Sequence, residues 1–584
     1  MKLIEALEIA RRPVAESASK VRAFLACGFT PLHLQTFITG HLRALQEETR
    51  VEFSVGLFGD LCGSLERLDP SIVDLLVVVI EWSDIDPRLG LRTLGGWRPS
   101  DMVGILESAQ TAVARLEQAL TKAAGQIPAT VVCMPSLPLP PMFSTRPLQA
   151  GLVEAELQHT VAGLAASASR LPGVRMLSAQ RLAEASPPSD RYDVKSDVTT
   201  GFPYTLRHAS VMGELLAELI RNRPPMKGLI TDLDDTLWAG IVGEDGVEEI
   251  SWHLDRKTQM HGVYQQFVAS LAGAGILIGV ASKNDASVVA RAFERKDLLL
   301  SARDVFPIET HWSRKSESVR RILKTWNVGA DSVVFVDDSP MEVAEVKAEF
   351  PAMECVVFPK DDNQGMLDLL KHLRDVFGKP SVTGDDKLRL DSIRSASAWR
   401  QDSIKSAGSF SEDALLRAAE GSLVFSLARE GDARSFELVN KTNQFNLNGK
   451  RFSEFEWRRT ASNPAAFVLS VSYKDKYGPL GTIAVVVGAA NGHTVEVSAW
   501  VMSCRAFSRR IEFHCLQYIF DRFAASEIVL DLQATDRNGV IVEFLDQLLD
   551  EPAEPNPRLA KASFLKKAPE LPHQIEEVSV CEQR

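Results

Sequence analysis

Apolar runs that end in carboxylates or hydroxyls recur through the middle of this chain, and their length and spacing set the first expectations about its fold. Gly228-Leu-Ile-Thr leads into Asp232-Leu-Asp234-Asp-Thr236-Leu-Trp238. Gly275-Ile-Leu-Ile-Gly-Val-Ala leads into Ser282-Lys283-Asn284, and Ser332-Val-Val-Phe-Val leads into Asp337-Asp338. Short continuous apolar runs of this kind predict strands buried on both faces, as in a parallel sheet. His253 to Ser270 reads as a single helix between the first two runs. In an open parallel sheet the carboxyl ends of the strands share one edge, and ligands bind there.

The same patterning divides the chain. Residues 1–222 alternate helical patterns with apolar runs such as Val73-Asp-Leu-Leu-Val-Val-Val-Ile80 and Ala129-Thr-Val-Val-Cys133, which predicts an α/β domain. Arg221-Asn-Arg-Pro-Pro225 reads as a linker to a core over 226–380. Lys379-Pro-Ser-Val-Thr-Gly-Asp-Asp386 is a second breaker-rich joint, after which a helical stretch opens a third domain over 386–550. Pro552, Pro555 and Pro557 predict a loose start to a tail over 551–584.

Composition narrows the function classes. A chain of 584 residues with 45% hydrophobic content can build several cores. A net charge of −12 without a long basic tract argues against nucleic acid and anionic membranes as partners. No run approaches the ~20 apolar residues of a membrane span, and Met1-Lys-Leu-Ile-Glu lacks a signal peptide's apolar core, so a cytoplasmic protein is expected. Seven irregularly spaced cysteines fit free thiols.

The candidate chemistry lies at the ends of the apolar runs. Asp232 and Asp234, two positions apart, project to one face of an extended strand. One carboxylate there could attack phosphorus while the other handles the leaving group's proton. Taken alone, the pattern fits an Asx-rich turn equally well. Ser282, then Lys315 in His311-Trp-Ser-Arg-Lys315, then Asp337-Asp338 with Glu342 beyond, complete an ordered set.

This set resembles the haloacid-dehalogenase superfamily of aspartate-nucleophile phosphotransferases. The resemblance implies that Asp232 forms an aspartyl-phosphate and that Asp234 protonates the leaving oxygen and then activates water. It implies that Thr236, Ser282 and Lys315 contact the phosphoryl group; Lys283 and Asn284, beside Ser282, are candidate phosphate contacts, with a solvated helix start as the equal alternative. It further implies that Asp232, the backbone carbonyl of Asp234, Asp337 and Asp338 surround Mg2+. Electrostatics agrees, because a carboxylate attacking a phosphate needs a hard dication and a lysine to offset like-charge repulsion. No Cys or His cluster has zinc spacing.

The segment Asp232-Leu-Asp-Asp-Thr-Leu-Trp-Ala-Gly240-Ile-Val-Gly243-Glu-Asp-Gly246 is similar to the FkbH-like family beyond the phosphatase core. Lys441-Thr-Asn443-Gln444-Phe445-Asn446-Leu447, Ser503-Cys504-Arg505 and Thr535-Asp-Arg-Asn538 look like that family's C-terminal region, whose α+β fold resembles acyl-CoA N-acyltransferases. The resemblance implies a Mg2+-dependent enzyme that takes glyceryl from 1,3-bisphosphoglycerate, removes phosphate and loads an acyl carrier protein for polyketide-type biosynthesis. A plain phosphatase on a small phosphorylated metabolite and a non-enzymatic docking scaffold are the alternatives. Asn443, Gln444 and Arg505 become candidate substrate ligands.

Cys504 is the candidate acyl-carrying thiol, since Arg505, Arg509 and Arg510 beside it would favour the thiolate. A small buried apolar role is the alternative for it. The family's glycine-containing turn is replaced here by Arg505-Ala-Phe-Ser-Arg509-Arg510, which puts coenzyme A binding in doubt. The N-terminal domain weakly resembles SGNH hydrolases at Phe58-Gly-Asp60-Leu-Cys62 but lacks their serine, so a structural or docking role is expected, with Cys62 as nucleophile in its place the alternative. The short segment between the first two motifs leaves no room for a cap domain, and the C-terminal domain is the expected lid.

Overall fold

The computed structural model describes the chain apart from residues 14–18, 46–48, 143–145, 147–148, 407–411, 429–432, 443, 453, 462, 464, 504–505, 508, 536–537, 550–555 and 580–584. It is a mixed α/β structure with parallel-sheet cores in two compact units, 1–223 and 224–584. Among the described residues, no helix is long and apolar enough to cross a membrane.

The first unit holds an all-parallel sheet of β1 (Ser19–Ala26), β2 (Thr49–Val55), β3 (Leu75–Val79), β4 (Ala129–Cys133) and β5 (Val174–Met176), in the order β2-β1-β3-β4-β5. Every residue of β3 is buried, as a central strand covered on both faces requires. Asp60 follows β2 and caps the helix Leu61–Glu66 through Gly63 N. Burial raises the pKa of the Cys62 thiol, which disfavours a nucleophilic thiolate there.

The second unit begins with another all-parallel sheet. β6 (Gly228–Thr231), β7 (Leu277–Ser282), β8 (Val305–Thr310), β9 (Val333–Asp337) and β10 (Glu354–Val357) lie in the order β10-β9-β6-β7-β8. β6, β7 and β9 are buried throughout. Glycine at 228 is a packing requirement, because a Cβ there would sit 2.5 Å from the Trp326 ring. Between β6 and β7 the chain forms the helices Val242–Asp245 and Gln259–Gly273 and no further sheet. The helix expected from His253 starts only at Gln259. Ser251, His253 and Thr258 instead close a turn, in which Thr258 N donates to His253 O.

The helix Gly384–Ser406 leads into a seven-stranded mixed sheet. Its strands are β11 (Ser422–Ala428), β12 (Ala466–Asp475), β13 (Gly478–Asn491), β14 (Thr494–Met502), β15 (Glu527–Leu530), β16 (Arg558–Ala560) and β17 (Gln574–Ser579). They lie in the order β16-β15-β14-β13-β12-β11-β17, antiparallel except for β14 with β15 and β11 with β17. The segment expected as a tail from 551 is therefore corrected: β16 and β17 form the two outer strands of this sheet. β17 takes its hydrogen bonds from β11, so an acidic sequence such as Gln574-Ile-Glu-Glu-Val-Ser suffices for it.

The helix Gly384–Ser406 also carries the contacts that join this sheet to the parallel one. Arg389 donates to Gly275 O and Arg394 to Val305 O, both at the amino ends of strands. Ser392 and Ser395 on the same helix donate to Pro479 O in β13 and to Tyr477 O just before it.

Candidate functional site

Four polar groups leave the carboxyl edge of the second parallel sheet together. Asp232 follows β6, Ser282 ends β7, Asp337 ends β9, and Lys315 starts the helix Lys315–Trp326 that follows β8. All four are buried. The Lys315 ammonium lies 2.7 Å from Asp232 Oδ1 and 2.8 Å from Asp337 Oδ2, and donates to Ala281 O at 2.9 Å. Burial alone would lower the pKa of Lys315, but attraction to Asp232 and Asp337 outweighs it and the pKa is raised. The Asp337 carboxyl is pushed up to about 6 by burial and by repulsion from Asp232, against the pull of Lys315.

One oxygen from each of Asp232, Asp337 and Asp338 lies within 4.8 Å of the others. Asp232 Oδ1 is buried, and apart from its ion pair with Lys315 it accepts no directed hydrogen bond. An oxygen-only set of three converging carboxylates suits a hard divalent cation. Ser339 N donates to Asp337 Oδ1 at 2.9 Å, which fixes the rotation of that carboxylate.

The loop after Asp232 is held from below. Asp235 adopts a left-handed conformation at φ 51° and accepts Gly240 N through Oδ1, which closes the turn. Asp234 accepts Trp238 Nε1 at 2.9 Å, Val242 N at 3.0 Å and Asn284 Nδ2 at 2.9 Å. Trp238 is fully buried and packs beneath the loop. Thr236 is also fully buried, and its Oγ accepts Asp338 N at 3.1 Å, tying the first motif to the last. Lys283 lies at the rim, 38% exposed, with its ammonium on Glu342 at 2.7 Å.

Lys360 falls outside the predicted set, and Asn284, a candidate phosphate contact, holds Asp234 instead. Lys360, in the loop after β10, bridges Asp235 and Asp338 at 2.9 and 3.0 Å. Asn284 is buried and links Ser282 Oγ to Asp234. Its position next to Ser282 was the only sign of it in the sequence. Lys360 had none, because its partners Asp235 and Asp338 lie 125 and 22 residues away.

In the C-terminal module the distant motifs meet. Residues 445–447 run beside β14, with Leu447 N donating to Trp500 O and Met502 N to Phe445 O. Asn538, wholly buried, donates to Asn446 O and Gln533 O. Gln444 is exposed at the edge of a cavity. Asn443, Cys504 and Arg505 lie outside the described residues. Arg509 is buried against Asp475, and Arg510 pairs with Asp413 at 2.7 Å, so both guanidinium groups already have carboxylate partners.

The expected lid is a correction. The contacts of this module with the parallel sheet, at Lys227, Gly275 and Val305, lie at the amino edge, opposite Asp232.

No family model matches the chain, and no curated protein matches it. Among solved structures, the N-terminal part of the protein BF1531 from Bacteroides fragilis, described as containing a phosphatase domain complexed with Mg, is 19% identical with a TM-score of 0.50. The match covers 65% of this chain and 100% of that one. At that identity the likeness shows the fold alone. LAE5, an α/β hydrolase enzyme from the metagenome of Lake Arreo, Spain, matches at 12% identity over 35% of this chain and 96% of that one. Its TM-score of 0.23 carries no argument.

Proposed function

We propose that the 224–584 unit is a Mg2+-dependent phosphatase of the haloacid-dehalogenase type, with Asp232 as nucleophile. The observation that carries this reading is the convergence of Asp232, Asp337 and Asp338 around one point, with Lys315 holding two of them. The phosphatase description and bound Mg of the BF1531 structure support it through the shared fold.

Asp232, Asp337 and Asp338 would hold Mg2+, which supplies positive charge against the phosphoryl oxygens. Asp232 attacks phosphorus, the bond from phosphorus to the leaving oxygen breaks, and Asp234 gives that oxygen its proton. Asp234 then takes a proton from the water that attacks the aspartyl-phosphate, releasing phosphate and restoring Asp232. Ser282 and Lys315 hold the phosphoryl oxygens, and Asn284 and Trp238 orient Asp234.

The FkbH-like resemblance extends this reading to a substrate. The unit would dephosphorylate a phosphoglyceryl group derived from 1,3-bisphosphoglycerate and load glyceryl onto a phosphopantetheinylated acyl carrier protein. The absence of a cap between β6 and β7 supports a tethered substrate. The second reading, a plain phosphatase on a small phosphorylated metabolite, is favoured by the C-terminal module's contacts at the amino edge of the sheet, away from Asp232.

Incubation with Mg2+, 1,3-bisphosphoglycerate and carrier protein, followed by intact-mass measurement of the carrier, separates the two. A glyceryl adduct supports loading, while free phosphate with an unmodified carrier leaves the plain phosphatase. Asp232→Asn is expected to cut phosphate release by on the order of 10⁴-fold or more. Release at the wild-type rate would remove the central assignment.

A further inference from the structure

A cavity of about 720 Å³ lies between the amino edge of the second parallel sheet and the C-terminal module. Leu277, Trp326, Ile393 and Met502 form part of its apolar wall. Its charged lining sets Lys227, Arg389, Arg434 and Lys441 beside Asp331 and Glu437, and behind it Asp386 lies 2.9 Å from Arg389 and Asp385 3.1 Å from Arg434.

Glu437 is already fully committed. Arg434 lies 2.7 Å away, Lys441 2.8 Å and Arg389 3.3 Å. Burial alone would raise the pKa of the Glu437 carboxyl, yet these three cations bring it well below the carboxylate range. Lys227 has no share in that carboxylate. Its backbone is pinned between the neighbouring strands, with N donating to Ser332 O and O accepting Leu277 N. Among the described residues its ammonium is given one hydrogen bond, to Lys441 O at 3.4 Å, and no ion pair with a carboxylate. Burial, then the charge of Lys441, pushes this ammonium down to about 7. A buried cation without a carboxylate is costly, and an anion entering the cavity would offset that cost.

We propose that this cavity is a second anion site, at the opposite end of the sheet from Asp232, that takes a small phosphate-bearing molecule with its phosphate on Lys227 and its body against the apolar wall. Five steps of extended chain separate Lys227 from Asp232, roughly 16 Å. A ligand seated here therefore does not occupy the phosphoryl-transfer site.

The test uses the full chain in EDTA and radiolabelled inorganic phosphate in equilibrium dialysis. Without a divalent cation the Asp232 site disfavours phosphate, because the carboxylates of Asp232, Asp235, Asp337 and Asp338 outnumber the ammonium groups of Lys315 and Lys360 paired with them. Wild type should bind saturably, Lys227→Met should weaken binding at least about tenfold, and Lys227→Arg should retain it. Ile393→Trp, which fills the cavity from its apolar side, should also lose binding, and guards against misfolding of the first variant. Phosphate release from a chromogenic phosphate ester in Mg2+ reports that each variant is folded. Absence of saturable binding to wild type, unchanged binding to Lys227→Met in a folded protein, or full displacement by chloride at equal ionic strength would each overturn the proposal.

Discussion

Lys315 separates two buried carboxylates that would otherwise repel each other. Replacing it with Met leaves Asp232 and Asp337 without their cation, and the expected cost is about 3–5 kcal/mol of stability in EDTA. Urea unfolding with and without Mg2+ checks this, and the deficit should shrink when Mg2+ supplies the missing charge. Asp234→Asn retains the size and the acceptor oxygen but loses the proton, so turnover should fall by about 10²–10⁴-fold with stability little changed. A rate within a factor of two of wild type would count against its acid role. At this scale Asp232, Ser282 and Asp337 were legible because each stands at the end of an apolar run, and Lys315 because it completes their ordered set. Lys360 was not, since its partner Asp235 lies 125 residues away and only the folded chain brings them together.

Strands carried the most information among the elements. β6, β7 and β9 are central in a parallel sheet, covered on both faces, so their sequences are continuous apolar runs that announce themselves. β17 sends no such signal, because it is an edge strand whose pairing is supplied by β11. Ending the chain at Glu570 removes β17 together with His573, and uncovers the edge of β11. The truncated protein should unfold at least about 5 °C lower in differential scanning calorimetry and aggregate more readily. An unchanged transition would show that β17 adds nothing to the sheet. The helix begins at Gln259 rather than His253, because residues 254–257 form a turn that Thr258 N closes onto His253 O.

For the molecule as a whole, the separation of the two edges organises function. The carboxylate and lysine cluster lies at the carboxyl edge of the second sheet, while the C-terminal module and its cavity meet the amino edge. The buried histidine pair of that module gives its stability a pH dependence. His514 Nε2 and His573 Nδ1 lie 3.0 Å apart, and burial first, then neighbouring positive charge, lowers them to about 3 and about 4. Unfolded histidines titrate near ~6.5, so from there down to about pH 4 the unfolded chain binds more protons and stability falls with pH. Asp337, raised from 3.8 to about 6, acts in the opposite sense over a narrower range. Unfolding free energy should therefore drop between pH 7 and pH 5, and the double variant His514→Gln, His573→Gln should flatten that slope. An identical slope in the variant would place the titration elsewhere.

The sequence by itself determined the parallel core and the identity of the groups at its carboxyl edge. A strand buried on both faces must be apolar, and the polar residues that interrupt it must then fall at its ends. Only the tertiary structure decided which polar groups hold one another: Lys360 on Asp338, Asn284 on Asp234, and three cations on Glu437. It also decided that the C-terminal module meets the amino edge of that sheet, because packing between modules depends on surfaces whose partners are remote in sequence and leave no periodic trace in it.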